Sequence, residues 1–290
     1  LDYKVVSAGR WRVAALPEMW SSKTAERVLH AVDRQTWSKH PQTLTVHLDQ
    51  GDASEFYVKV FHPGNAWSAF KDVFRMSRAF RGWRQGLALS EAGFDVPLTI
   101  AVGEERRWRL LRRAFLLTQK VDGQPAHLFL GRLIDCGEKK MGPGAKRAGL
   151  RRIAGLVRRF HAAGFVHGDL VASNILVSNG GAAGAAFYFM DNDRTRRYPA
   201  WLPQSLWKRN LVQLNRMPLP GITLQDRMRF FQNYLQTEKL TRGERRLVYW
   251  LERKTRRRRK ECDGVDPTGD FRRLMRWPGD ISASSNGKVG

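Results

Sequence analysis

The segment Phe165-Val-His167-Gly168-Asp169-Leu170-Val-Ala-Ser173-Asn174-Ile175-Leu176-Val177 constrains this chain more than any other. It follows an amphipathic stretch, residues 148–163, in which Leu150, Ile153, Ala154, Leu156, Val157 and Phe160 recur at helical spacing with arginines opposite. Gly164 is suited to end that helix. The segment closes on a short apolar run, 175–177, of strand length. Asp169 and Asn174 therefore lie five residues apart on a loop between helix and strand. A second short apolar run, 187–190, leads into Asp191, 17 residues after Asn174. Two strands joined through the glycine-rich stretch 178–184 would form a hairpin that sets Asn174 beside Asp191.

One carboxylate and two further oxygen ligands on such a frame suit phosphoryl transfer. That chemistry asks the protein for positioning and charge neutralisation more than for covalent work. Asp169 would orient an attacking hydroxyl and accept its proton. Asn174 and Asp191 would offer hard oxygens to Mg2+, which prefers them. Asp193 would be a further ligand or a turn cap, and His167 a brace for the loop.

Upstream, residues 43–48 and 55–61 alternate in polarity around the turn residues 49–52, the pattern of a β-hairpin. Residues 69–91 carry apolar groups on one helical face, and strands are expected at 98–102 and 113–118. Beyond Gly123 helical patterns dominate, at 203–217, 224–235 and 242–260. The expected fold class is α+β: a small β-rich lobe over 1–118, a larger helical lobe over 119–277, and a flexible tail over 278–290.

The formal charge is +24, which attracts polyanions. Ten Lys and Arg lie between 242 and 260 against Glu244 and Glu252 alone, centred on Arg256-Arg257-Arg258-Arg259-Lys260. The block reads either as a solvated helix face or as a surface for an anionic membrane or a phosphorylated substrate. No RNA-binding or zinc-finger spacing accompanies it, so no nucleic acid partner is expected. Cys136 and Cys262 lie far apart without metal-ligand spacing, which suits a reducing compartment. No apolar run is long enough to span a bilayer. The start, Leu1-Asp2-Tyr3-Lys4, does not read as a signal peptide and lacks an initiator Met, as a truncated or processed chain would.

The string His167-Gly-Asp169-Leu-x-x-x-Asn174 resembles the catalytic loop of protein-kinase-like enzymes, with Gly168 where protein kinases usually carry Arg. Asp191-Asn192-Asp193 resembles their metal-binding position in a form similar to small-molecule and glycan kinases. Lys59 resembles the strand lysine that contacts the α- and β-phosphates, and residues 115–119, ending at Gln119, resemble the hinge that holds adenine. Within this superfamily residues 40–215 most resemble the bacterial lipopolysaccharide core kinases that phosphorylate Kdo or heptose. The strings that carry this are Tyr57-Val-Lys59-Val-Phe61, Ser77-Arg-Ala-Phe-Arg-Gly-Trp83-Arg84, Ala92-Gly-Phe-Asp-Val-Pro97 and Asp191-Asn-Asp-Arg194. The resemblance implies a bilobal kinase fold, ATP and Mg2+, a lipopolysaccharide core glycolipid as acceptor, and a cytoplasmic enzyme peripheral to the anionic inner face of the membrane.

Two departures stand out. Gly82 occupies the place where the family's helix is expected to carry a Glu paired with the lysine, and Glu91 is badly placed to replace it. The segment 33–42, expected to cover the phosphates, has no glycine and offers Arg34, Lys39 or His40 instead. Two other readings stay open on the residues alone: a similar kinase acting on another small molecule or a protein, and a non-catalytic relative that binds a partner.

Overall fold

The computed structural model describes residues 1–38, 40–48, 54–63, 75–135, 143–178, 185–199, 201, 205–216 and 222–263. Lys39, the turn 49–52, the first residues of the expected 69–91 helix, Cys136, the 179–184 tip and the tail lie outside them. Cys262 falls in the last helix, and its side chain is outside them too. The chain divides into two compact units, Leu1–Asp122 with Tyr188–Thr195, and Gly123–Phe187 with Arg196–Gly290.

The first unit is built on a six-stranded antiparallel sheet, in the order β1-β2-β5-β6-β4-β3. Its strands are β1 (Lys4–Ala8), β2 (Trp11–Ala15), β3 (Gln42–Leu48), β4 (Ser54–Phe61), β5 (Thr99–Arg107) and β6 (Leu110–Gln119). Period-2 alternation sends Phe56, Val58 and Val60 of β4 to one face, where they join Phe115 and Leu117 of β6. Val28 and Val32 of helix α1 (Ser22–Asp33) close that core. Lys59 and Phe61 face the other side, which helix α2 (Arg78–Glu91) covers with Ala79, Phe80 and Trp83. Ser77 caps α2, its hydroxyl accepting from the Phe80 amide. β1, β2 and α1 were not expected from the sequence. α1 buries only Thr24, Val28 and Val32, too narrow a stripe to stand out among polar neighbours. The chain thus enters β3 from a helix, Asp33 ending α1, where a glycine-rich phosphate loop would follow a strand.

The second unit is mainly helical, with α3 (Ala126–Asp135), α4 (Pro143–Ala162), α5 (Leu206–Arg216), α6 (Leu224–Leu235) and α7 (Arg242–Asp263). α4 begins before the expected stretch and buries Leu150, Ile153, Ala154, Val157 and Phe160, the stripe that its sequence predicts. Gly164 follows it at φ +82°, where an added Cβ would stand 2.4 Å from the Tyr198 carbonyl oxygen, so only glycine fits. Two short ladders frame the segment 167–174. β8 (Phe165–Val166) pairs with β11 (Arg196–Arg197), and β7 (Gln124–Pro125) with β9 (Ile175–Ser178). Lys146 of α4 ties to Asp226 of α6 at 2.7 Å, and Thr223 and Asp226 form a reciprocal capping box. β10 (Ala186–Phe189) carries the chain back into the first unit, where the Phe189 amide donates to Asp95 O at 3.0 Å.

Candidate functional site

In the first unit the sheet, α2 and the 190–193 turn line a cleft of about 260 Å³. Thr43, Tyr57, Lys59, Gly82, Thr118 and Asp191 are among its walls. Lys59 lies mid-strand on β4, its Nζ 2.5 Å from Asp191 Oδ1. Asp191 is a non-glycine residue at φ 56° and ψ 49°, in the left-handed region. Such a conformation is sparsely populated and persists only where the surroundings impose it. The single 3-10 turn Asn192–Arg194 that follows helps to impose it: the Asn192 side-chain amide donates to Phe189 O and the Thr195 amide to Asn192 O.

Asp193 is buried, and Arg78 at the start of α2 grips its Oδ2 through Nε at 2.7 Å and Nη2 at 2.6 Å. Phe61 lies beneath both cations, 5.2 Å from the Arg78 guanidinium carbon and 5.6 Å from Lys59 Nζ. Gly82 faces the same turn. A Cβ there would meet Leu116 Cδ2 at 3.5 Å and Asp193 Cα and Cβ at 3.6 Å, ordinary contact distances. The exposed Glu91 ends α2, nine residues from Gly82 or about 13 Å along the axis. Arg34 caps α1, His40 is exposed just before β3, and Thr43 of β3 is the residue that reaches the cleft. At the hinge segment the Gln119 amide donates to Leu98 O and the Lys120 amide to Glu55 O, while the Lys120 ammonium pairs with the Glu55 carboxylate.

In the second unit the loop 167–174 is held mostly by one helix. Buried Asn210 of α5 accepts from the His167 amide at 2.9 Å and donates to the His167 carbonyl at 2.6 Å. Gln213, one turn on, donates to Gly168 O at 3.0 Å and reaches Asp169 Oδ1 at 3.4 Å, while its Oε1 accepts from the Leu170 amide. Arg216, a further turn on, stands 4.0 Å from Asp169 Oδ1. The buried His167 ring accepts the Asp169 amide through Nδ1 at 3.0 Å, which fixes the neutral tautomer with its proton on Nε2. The Asn174 side chain donates to Asp169 O at 2.9 Å, so the end turned to other use is its oxygen. Behind Asn210, His161 Nε2 lies 3.2 Å from Oδ1 and His161 Nδ1 lies 2.9 Å from the Tyr234 hydroxyl. Burial pushes His161 down to about 4 and Tyr234 above its usual range, so both are neutral near pH 7.

The structure thus places Lys59, Asp191 and Asp193 together in the first unit, and Asp169, Asn174 and His167 together in the second. Arg78, Asn210, Gln213 and Arg216 were missed. Arg78 lies inside a motif that carried the resemblance, and an Asn–Gln pair at i, i+3 on an otherwise apolar helix face was the available sign of Asn210 and Gln213.

The model of the lipopolysaccharide kinase (Kdo/WaaP) family matches residues 20–234. The chain belongs to this family. It is accordingly an enzyme, a lipopolysaccharide core kinase with a protein-kinase-like fold. The solved structure of WaaP in complex with acyl carrier protein matches with a TM-score of 0.59 and 22% identity, over 79% of this chain and 91% of that one, a likeness of fold. No match is found among curated proteins. The expected α+β class, with a β-rich N-terminal sheet and a helical C-terminal part, holds. Each unit by itself carries groups of the kind a kinase needs: in the first, Asp191 presents a hard oxygen and Lys59 a cation in a cleft, and in the second Asn174 presents a hard oxygen. Among the described residues no helix is long and apolar enough to cross a membrane.

Proposed function

We propose that this lipopolysaccharide kinase transfers a phosphoryl group from ATP to a hydroxyl of an inner-core sugar, heptose or Kdo. The observation that carries the reading is Asp169. Its loop is pinned on both sides by Asn210, Gln213 and the His167 ring, yet its side chain remains half exposed. A carboxylate so held can orient an acceptor hydroxyl and take its proton as the oxygen attacks. Lys59 would hold the α- and β-phosphates, and the backbone around Gln119 the adenine. Asn174 and Asp191 would hold Mg2+, joined by Asp193 through Oδ1, its Oδ2 being held by Arg78. Bound ATP and Mg2+ supply the phosphoryl group and neutralise the charge that develops on it.

The charge of +24 supports an anionic, lipid-borne acceptor. α7, with exposed Arg256, Arg257 and Arg258, would hold the enzyme at the inner face of the cytoplasmic membrane. The test compares ATP turnover on lipopolysaccharide acceptor by the protein and by Asp169→Asn, with mass spectrometry of the core from cells with and without the gene. The reading expects turnover to collapse in the variant and one phosphate to be missing from the core. Equal turnover in both proteins overturns the role of Asp169, and an unchanged core overturns the acceptor.

A further inference from the structure

The β5–β6 hairpin turns through two residues, Trp108 and Arg109, at φ 50° and 67°. Two positive φ values in a two-residue loop are the signature of a type I′ turn, which Asn-Gly satisfies with least strain. A bulky aromatic and an arginine are poor choices for that backbone. Nor does Trp108 repay the strain through packing, because it is 85% exposed, more than any other large apolar side chain among the described residues. Its contact is with the Arg107 guanidinium, 5.2 Å from the ring. Leu110, opposite Arg107 in the ladder, is 40% exposed. Arg107, Arg109 and Arg112 are exposed around it, whereas Arg106 and Arg113 are paired with Glu104 and Glu105. The tip is far from the nucleotide chemistry: the cleft wall includes Thr99 at the other end of β5, eight residues or about 26 Å along the strand.

We propose that this hairpin tip is a membrane-docking element that seats Trp108 and Leu110 at the interface of an anionic bilayer while Arg107, Arg109 and Arg112 meet lipid phosphates. A tryptophan at a hairpin apex with arginines around it has the amphipathic form that favours the headgroup layer. The charge of +24 and the exposed arginines around the tip complement an anionic bilayer surface, whose interface also takes the apolar Trp108 and Leu110. This rests on the membrane reading above but not on α7, which belongs to the other unit.

The test is co-sedimentation with vesicles of phosphatidylethanolamine and phosphatidylglycerol, and with phosphatidylcholine alone, for the full chain and for Trp108→Asn combined with Arg109→Gly. The double variant suits the turn better than the natural pair, so its thermal midpoint should equal or exceed that of the parent and binding loss cannot come from misfolding. The expected result is partitioning to the anionic vesicles weakened on the order of tenfold, with ATP turnover on detergent-dispersed acceptor unchanged. Equal partitioning of parent and variant overturns the hairpin while leaving the membrane reading in place. If the parent fails to bind anionic vesicles, both fall. An equal loss on phosphatidylcholine overturns the role given to the negative charge of the bilayer.

Discussion

Arg78 holds Asp193 through two nitrogens on one oxygen, at 2.6 and 2.7 Å, with the carboxylate buried. This joins α2 to the 191–194 turn, whereas the helix glutamate expected in this family would join α2 to the strand lysine. Truncation of Arg78 leaves Asp193 without that partner in a low-dielectric site. Arg78→Met should destabilise the protein by about 3 kcal/mol and raise the Mg2+ concentration needed for half-maximal turnover. Chemical denaturation and a Mg2+ titration check both effects. Arg78→Lys should recover part of each, since one ammonium cannot reproduce the planar guanidinium.

Lys59 and Asp191 meet at 2.5 Å on one wall of the cleft. If Lys59 binds phosphates and Asp191 the cation, each substitution removes a charge next to the transferring group. Lys59→Met and Asp191→Asn should each lower kcat on the order of a hundredfold. The two should separate by titration, Lys59→Met mainly weakening nucleotide affinity and Asp191→Asn mainly weakening the response to Mg2+. Steady-state kinetics with ATP and Mg2+ varied independently decides it. Wild-type kcat in either variant would remove that residue from the mechanism.

Gly82 offers a test of the missing glutamate. A Cβ at this helical position meets its neighbours at 3.5 and 3.6 Å, without a clash. Glycine inside a helix costs about 1 kcal/mol relative to alanine. Gly82→Ala should therefore raise stability by about that amount and leave turnover within about twofold. A lower melting temperature would show that the turn at Asp193 needs closer approach than these distances imply.

The loop 167–174 was legible because its pattern is contiguous: Asp169 and Asn174 sit five residues apart in a string that also specifies the flanking helix and strand. The β3–β4 hairpin, α6 and α7 were legible through periodicity. What supports the loop was not, because it acts across distance in the chain. Asn210 lies 43 residues from His167, and its pairing with Gln213 on one helix face does not say which loop it holds. β1 and β2 escaped for another reason. Residues 4–7 of β1 are exposed, so that strand lacks the in–out alternation that marks a half-buried strand.

His161 gives the site a pH dependence of stability. Enclosed between Tyr234 and Asn210, it titrates at about 4 in the folded protein against 6.5 when unfolded. Burial is the main cause, and the hydrogen bond with Asn210 opposes it only in part. The folded state therefore resists protonation that the unfolded chain accepts. Above pH 6.5 both states are neutral and the group contributes no pH dependence. As pH falls from 6.5 towards 4 the unfolded state binds the proton first and stability drops, by about 2 kcal/mol between pH 7 and pH 5. Below 4 both states are protonated and the loss is complete. His161→Gln keeps a donor and an acceptor but cannot titrate, so its stability should fall less over the same interval. Urea denaturation of both proteins at the two pH values measures the difference. Because Asn210 also holds both backbone groups of His167, the same acid step should loosen the loop that carries Asp169. Protection of the 167–170 amides from hydrogen exchange should then decline with pH faster in the parent than in His161→Gln.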